Sequence, residues 1–225
     1  MELVAQHLTR QADLIPLSVL GEPITIIGAG AIGGWTALSL AKMGFGNITV
    51  FDFDKVDVEN MNSQFYRFQD IGRPKVRALQ DLVESFTGIR IAGVDDKYPG
   101  MKAFPGIVIA AVDSMEARKS IWDAHKIAPF TKLVIDPRMG AETALMYVRE
   151  PLNKPDAVSY EKTLYTDANA VQERCTAKAT IYTANLLAGM VVKTVKDFLV
   201  TGQYVRNLTW DISKDAFQAW RTDKT

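Results

Sequence analysis

Pro23-Ile24-Thr25-Ile26-Ile27-Gly28-Ala29-Gly30-Ala31-Ile32-Gly33-Gly34 is the stretch that decides the fold of this 225-residue chain. The short apolar run from Pro23 to Ile27 reads as a β-strand entering a tight turn. Beyond the turn, Ile32, Trp35, Leu38 and Leu40/Ala41 recur at roughly helical spacing, so Gly34 to Met43 reads as a helix. Gly44 and Gly46 end it. Ile48 to Phe53, rich in β-branched and aromatic residues, forms a second strand that closes a βαβ unit. Gly28, Gly30 and Gly33 make a G-x-G-x-x-G pattern, and Asp52 follows 19 residues after Gly33, at the end of that second strand. In this context the glycines permit close backbone approach, the helix N-terminus offers free N–H groups to phosphate, and Asp52 accepts from ribose hydroxyls. The same glycines could serve only a sharp turn between strand and helix. NAD, FAD and ATP are all compatible with the fingerprint.

Downstream, a helix is expected from near Gly72-Arg73-Pro74 to about Phe86, with Pro74 suited to a first turn. Ile89 to Val94 reads as a third strand. The apolar runs Gly106 to Val112 and Lys132 to Ile135 read as strands buried on both faces of a parallel sheet, with Ser114 to Ala128 as a helix between them. After Gly140 the pattern changes: Ala144 to Val148 is strand-like, and residues 151–174 carry Pro151, Pro155 and several Asn and Asp without periodicity, as in a long crossover loop. Cys175 or Thr176 opens a long helix whose buried face is Ile181, Ala184, Leu187/Ala188, Val191, Val195 and Phe198/Leu199, ended by Gly202. Asn207 to Ile212 is a last strand before a charged tail. The expected fold is α/β: one domain over residues 1–225, doubly wound and Rossmann-like, with a mostly parallel sheet, an antiparallel C-terminal extension and the crossover loop. A helical arm over residues 1–20 precedes the first strand.

Composition narrows the function. A hydrophobic fraction of 48% with 23% charged residues excludes a disordered or low-complexity chain. Lys plus Arg and Asp plus Glu are 26 each, and no basic run marks a nucleic-acid or anionic-membrane footprint, so any polyanion must be met by local cations. The single cysteine, Cys175, excludes an internal disulfide, and with only His7 and His125 beside it a Cys/His zinc site cannot be built; no zinc is expected. Met1 to Pro16 lacks the pattern of a secretory signal, and no stretch reads as a membrane span, so a soluble cytoplasmic protein is expected.

A second set of motifs selects the nucleotide. Asp52-Phe53-Asp54-Lys55-Val56 leads to Asn60-Met61-Asn62-Ser63-Gln64, then to Gly72-Arg73-Pro74-Lys75, and later to Asp113 with Arg118 five residues on. In these elements and their order the chain resembles the ThiF/MoeB/HesA family of adenylating enzymes, which includes the adenylation domain of ubiquitin-activating enzymes. Thr9-Arg10-Gln11, before the first strand, is similar to that family's N-terminal Arg-Gln helix. The resemblance is in register over about residues 8–120 and looser beyond.

The resemblance implies carboxyl adenylation with ATP and Mg²⁺: a carboxylate attacks the α-phosphate, giving acyl-AMP and pyrophosphate. Asp52 would bind the ribose, with Asp54 beside it, and Gly28, Gly30, Ala31 and Gly33 would line the phosphate-facing turn. Asn60 and Gln64 would position the triphosphate, Lys75 would neutralise it as a point charge, and Asp113 would hold Mg²⁺. Arg10 would act as an arginine finger in a partner subunit's site, which implies a homodimer. The implied substrate is the C-terminal carboxylate of a ubiquitin-like or sulfur-carrier protein. Cys175 stands where thioester-forming members carry a transfer cysteine, and a helix N-terminus would favour its thiolate; its other reading is a small half-buried residue at a helix start.

Two departures stand out. Ser63 occupies the place of an arginine that would meet triphosphate oxygens bidentately, with Arg67 and Arg73 near enough in sequence to substitute. The family's paired Cys-x-x-Cys zinc motifs are absent, which removes a structural staple and leaves the chemistry. Taken singly, Lys75 and Arg10 could be solvated charges, Asp113 could cap a helix, and Arg118 reads as structural, closing on a carboxylate or a loop carbonyl. Two other functions stay open. An NAD-dependent oxidoreductase would use the glycines and Asp52 but leave Arg10, Asn60, Gln64, Lys75 and Asp113 unexplained. A non-catalytic nucleotide-binding or dimerising member would account for Ser63.

Overall fold

The computed structural model describes residues 8–164 and 179–222. Eight strands form one sheet: β1 (Ile24–Ile27), β2 (Ile48–Phe51), β3 (Ala92–Val94), β4 (Gly106–Ala110), β5 (Thr131–Gly140), β6 (Thr143–Arg149), β7 (Val205–Asp211) and β8 (Ala216–Arg221). Their order is β3-β2-β1-β4-β5-β6-β7-β8. The pairings from β3 to β5 are parallel and those from β5 to β8 antiparallel. The direction of winding reverses between β1 and β4. In open sheets of this kind ligands bind at that point, beyond the carboxyl ends of the strands.

Strand alternation distributes the core to the two faces. Ile24, Ile26, Ile107 and Ile109 pack with α1 (Ala31–Lys42), α2 (Lys75–Thr87) and α5 (Ile181–Thr201). Their neighbours Ile27, Val108 and Ala110 face the other way, onto Ile121 and Trp122 of α3 (Met115–His125) and Tyr160 of α4 (Lys154–Glu161). Both faces of β1 and β4 are therefore covered, which is why their sequences are continuous apolar runs. His125 is a core residue: its Nδ1 lies 2.7 Å from the Ile121 carbonyl oxygen and its Nε2 accepts the Phe104 N–H at 3.1 Å.

Three expectations need correction. The segment expected to be a structureless crossover loop begins with α4, whose N-cap Asn153 accepts the Asp156 N–H, with Pro155 in the first turn. This helix buries only Asp156 and Tyr160, too little to leave a helical period in the sequence. The C-terminal helix starts at Ile181, with Thr180 extended as its N-cap, and not at Cys175 or Thr176. Cys175 and the rest of the expected loop lie outside the described residues. The described part of the N-terminal arm holds two short 3₁₀ helices, Thr9–Gln11 and Leu17–Val19. The charged tail contains β8, which completes the antiparallel extension.

Candidate nucleotide site

The carboxyl ends of β1, β2 and β4 converge on one rim, and the chain leaves each of them through a residue the sequence had marked. From β1 it turns through Gly28, whose φ of +99° suits glycine and whose missing side chain admits the Ala111 carbonyl from the end of β4. Gly33, in the first turn of α1, lies so close to the Gly28 carbonyl that a methyl group would collide with it. Gly30 is different: a methyl group there would meet only Gln64 Nε2, at 4.0 Å. Gly28 and Gly33 thus close the strand onto the helix, while Gly30 faces open space at the N-terminus of α1. There the first N–H groups have no intrahelical acceptor and the dipole favours an anion.

Asp52, just past β2, ties the turn down. Its Oδ2 accepts the Ala29 N–H at 2.6 Å and its Oδ1 accepts the Asp54 N–H at 2.8 Å. Burial raises its pKa, opposed by those two N–H groups and by the charge of Lys75. A carboxylate has about four acceptor positions, so two remain for ribose hydroxyls. Lys75 opens α2 directly after Pro74, is only 7% exposed, and places Nζ 2.9 Å from Asp54 Oδ2.

The segment between β2 and α2 folds over this turn. Asn60 belongs to a capping box: its side-chain oxygen accepts the Asp57 N–H at 2.9 Å, while Asp57 accepts from Glu59. Gln64 lies over Gly30, and its Oε1 is buried without a hydrogen-bond partner. The Gln64 atom nearest the turn is Nε2, a donor. Ser63 is buried, and its carbonyl accepts the Trp35 indole N–H at 3.3 Å. The two nearby arginines are both engaged with buried Asp70: Arg67 donates to it through Nε and Nη2, and Arg73 donates to it at 2.8 Å and also to Asp81. These bonds hold the Asp70 carboxyl below its ordinary range, with the Arg67 hydrogen bond the largest cause.

Asp113 follows β4 on the same rim and is exposed. The cap of α3 is Ser114, which accepts the Ala117 N–H at 3.2 Å, so Asp113 is free of that duty. Among the described residues no group of three His, Cys, Asp or Glu side chains could hold a metal by itself. The exposed Asp113 carboxylate suits Mg²⁺, a hard cation usually bound by one or two carboxylates together with substrate phosphates.

Behind Asp113, Arg118 is buried and pins the loop. It donates to the carbonyls of Ala110, Val112 and Pro137 and pairs with Asp136. Asp136 also takes Arg138 Nε at 2.8 Å and the Tyr160 hydroxyl at 2.8 Å. The sequence reading of Arg118 as structural matches this geometry. Asp136, Arg138 and Tyr160 were missed, although a carboxylate directly after the apolar run Leu133-Val134-Ile135 was a usable signal, as Asp52 was after β2. Tyr66 was missed too: its hydroxyl donates to the Ala29 carbonyl at 2.6 Å.

Two expected site residues stand apart. Arg10 is exposed, and its neighbour Gln11 donates to the Met43 carbonyl at 2.7 Å, at the far end of α1 from Gly30. Twelve helical residues separate these ends by about 18 Å. The other, Cys175, is not among the described residues.

Comparison with known proteins places these features. The family model described as the ThiF family matches residues 19–223. The chain is 36% identical over 104 residues to the NEDD8-activating enzyme E1 catalytic subunit of Arabidopsis thaliana, covering 44% of this chain and 23% of that protein. It is 29% identical over 121 residues to ubiquitin-like modifier-activating enzyme 5 of Aedes aegypti, covering 44% of this chain and 29% of that protein. The matched stretch thus spans about a quarter of the length of these curated relatives. Among solved structures, PaaA superposes with a TM-score of 0.72 at 18% identity, over 98% of this chain and 74% of that one. Escherichia coli MccB with ATP gives 0.70 at 13% identity, over 95% and 67%. Both likenesses support the fold.

Proposed function

The chain belongs to the ThiF family, and from that premise we propose that it adenylates a C-terminal carboxylate with ATP. The observation that carries this reading is the convergence on one rim of the open Gly30 turn, Asp52, the Gln64 Nε2 beside Gly30, Lys75 and Asp113. Glycines and Asp52 alone would serve any dinucleotide; a buried lysine and a second carboxylate across the turn suit a triphosphate with a divalent cation. In the proposed reaction an oxygen of the carboxylate bonds to the α-phosphorus, the bond to the bridging oxygen breaks, and pyrophosphate leaves with that electron pair. The Gly30 turn and the N-terminus of α1 bind phosphate, Asp52 orients the ribose, Lys75 offsets the charge gathering on the leaving group, and Asp113 would hold Mg²⁺, which neutralises phosphate charge when bound. The relatives named as NEDD8-activating and ubiquitin-like modifier-activating enzymes support a small ubiquitin-like protein as the donor of the carboxylate, with a sulfur-carrier protein as the other candidate.

Arg10, at the far end of α1 where its neighbour bonds Met43, is badly placed for its own chain's turn, so an arginine-finger role for it requires a homodimer. A second reading, a nucleotide-binding member without activity, is favoured by Ser63 and by the commitment of Arg67 and Arg73 to Asp70. Calorimetry separates the nucleotide classes: MgATP should bind, and tight NADH binding without ATP binding would contradict adenylation. As a further step, the Cys175 thiolate would attack the acyl-AMP carbonyl, form a thioester and release AMP. A Cys175→Ser variant should keep ATP–pyrophosphate exchange and form no reducible adduct with the carrier; if wild type forms none either, the thiol takes no part.

A further inference from the structure

Ala29 is fully buried inside the glycine turn, and each of its backbone polar groups meets one side chain. Its N–H donates to Asp52 Oδ2 at 2.6 Å, and its carbonyl accepts the Tyr66 hydroxyl at 2.6 Å. That carbonyl and the Gly30 N–H belong to a single peptide unit, which is planar and trans, so the two groups point in opposite directions. Holding the carbonyl inward against Tyr66 therefore turns the Gly30 N–H the other way. Among the described residues the Gly30 N–H has no acceptor, and the space beside Gly30 is open. Gly30 is also the N-cap of α1, so its N–H adjoins the free donors of the first helical turn.

We propose that Tyr66 is a positioning residue that sets the plane of the Ala29–Gly30 peptide and so presents the Gly30 N–H to a phosphate of the bound nucleotide. The identity of that anion rests on the adenylation reading; the clamp itself does not. Tyr66 is buried in the main core, packed from the loop between β2 and α2 against the turn, so its ring is held while its hydroxyl reaches the backbone. Burial first, and then the charges of Asp52, Asp70 and Asp54, raise its pKa, so the hydroxyl keeps the proton it donates. Asp52 fixes one side of Ala29 and Tyr66 the other. A turn held at a single side would leave that peptide free to rotate, and a phosphate would have to order it on binding.

The test is a Tyr66→Phe variant of the full chain, which keeps the ring and removes the donor. Amide hydrogen exchange without nucleotide should quicken in residues 28–34 and remain unchanged in β4 and α5. Affinity for MgATP should fall by up to about tenfold, because binding must then supply the ordering that the lost hydrogen bond supplied, while affinity for adenosine, which lacks phosphate, stays within about twofold. A merely structural role would weaken both ligands together. The proposal is overturned if exchange in residues 28–34 is unchanged, or if ATP and adenosine binding fall in parallel. If the wild type binds no ATP yet the variant still loosens residues 28–34, the clamp stands and the adenylation reading fails.

Discussion

An Asp136→Ala variant is expected to lose about 3–5 kcal/mol of folding stability, the range for removing one partner of a buried ion pair. Asp136 is fully buried and is the shared anion of two buried guanidiniums, Arg118 and Arg138, and the acceptor of the Tyr160 hydroxyl. Its removal leaves two cations inside the protein with a net charge and no counter-ion. The Arg118 bonds to the Ala110, Val112 and Pro137 carbonyls offset little of this, because carbonyl dipoles do not cancel a charge. For a domain of this size the loss corresponds to a fall in melting temperature of roughly 6–20 °C. A fall below about 3 °C would show that the network contributes little. Replacing Arg118, Asp136 and Arg138 together by apolar residues of similar volume should cost less than Asp136→Ala alone, since it removes the charges and not only their partner. The site would feel the single change as well, because Arg118 holds the Val112 carbonyl, next to Asp113.

The second large effect concerns catalysis. A Lys75→Met variant should exchange pyrophosphate into ATP about 10²–10³-fold more slowly, the range for losing one preorganised charge-stabilising donor. Stability should change little: Met fills the buried stem's place, and the Asp54 carboxylate left without its partner is half exposed and stays hydrated. The Lys75→Arg variant should restore exchange only in part, because a planar guanidinium does not occupy the position of a compact ammonium. Exchange at the wild-type rate in Lys75→Met would remove Lys75 from the site.

The sequence was readable where each residue carries one strong demand. Ile24–Ile27 and Gly106–Ala110 are buried on both faces, so they stand out as apolar runs, and the glycines at 28 and 33 admit no other residue. The positions of Asp52, Asp113 and Lys75 on the rim could be read because the acids follow strands and the lysine opens a helix. The helix α4 was hidden because two buried residues leave no period, and β8 because it is exposed along its whole length. Tyr66 was hidden for a different reason, its role existing only through Ala29 far away in sequence, and the Asp136 network was legible only in part: Arg118 reads as structural, but the carboxylate it closes on lies 18 residues away. The engagement of Arg67 and Arg73 by Asp70 is local, but only the geometry shows that one carboxylate holds both.

Incubating the full chain with MgATP, labelled pyrophosphate and a small carrier protein ending in a free Gly-Gly tests the central claim most directly. Label should enter ATP only when that carrier is present, and should stop entering when the carrier's terminal carboxylate is amidated. Measurable MgATP binding with no exchange across a panel of such carriers would contradict it and assign the chain to nucleotide binding without adenylation.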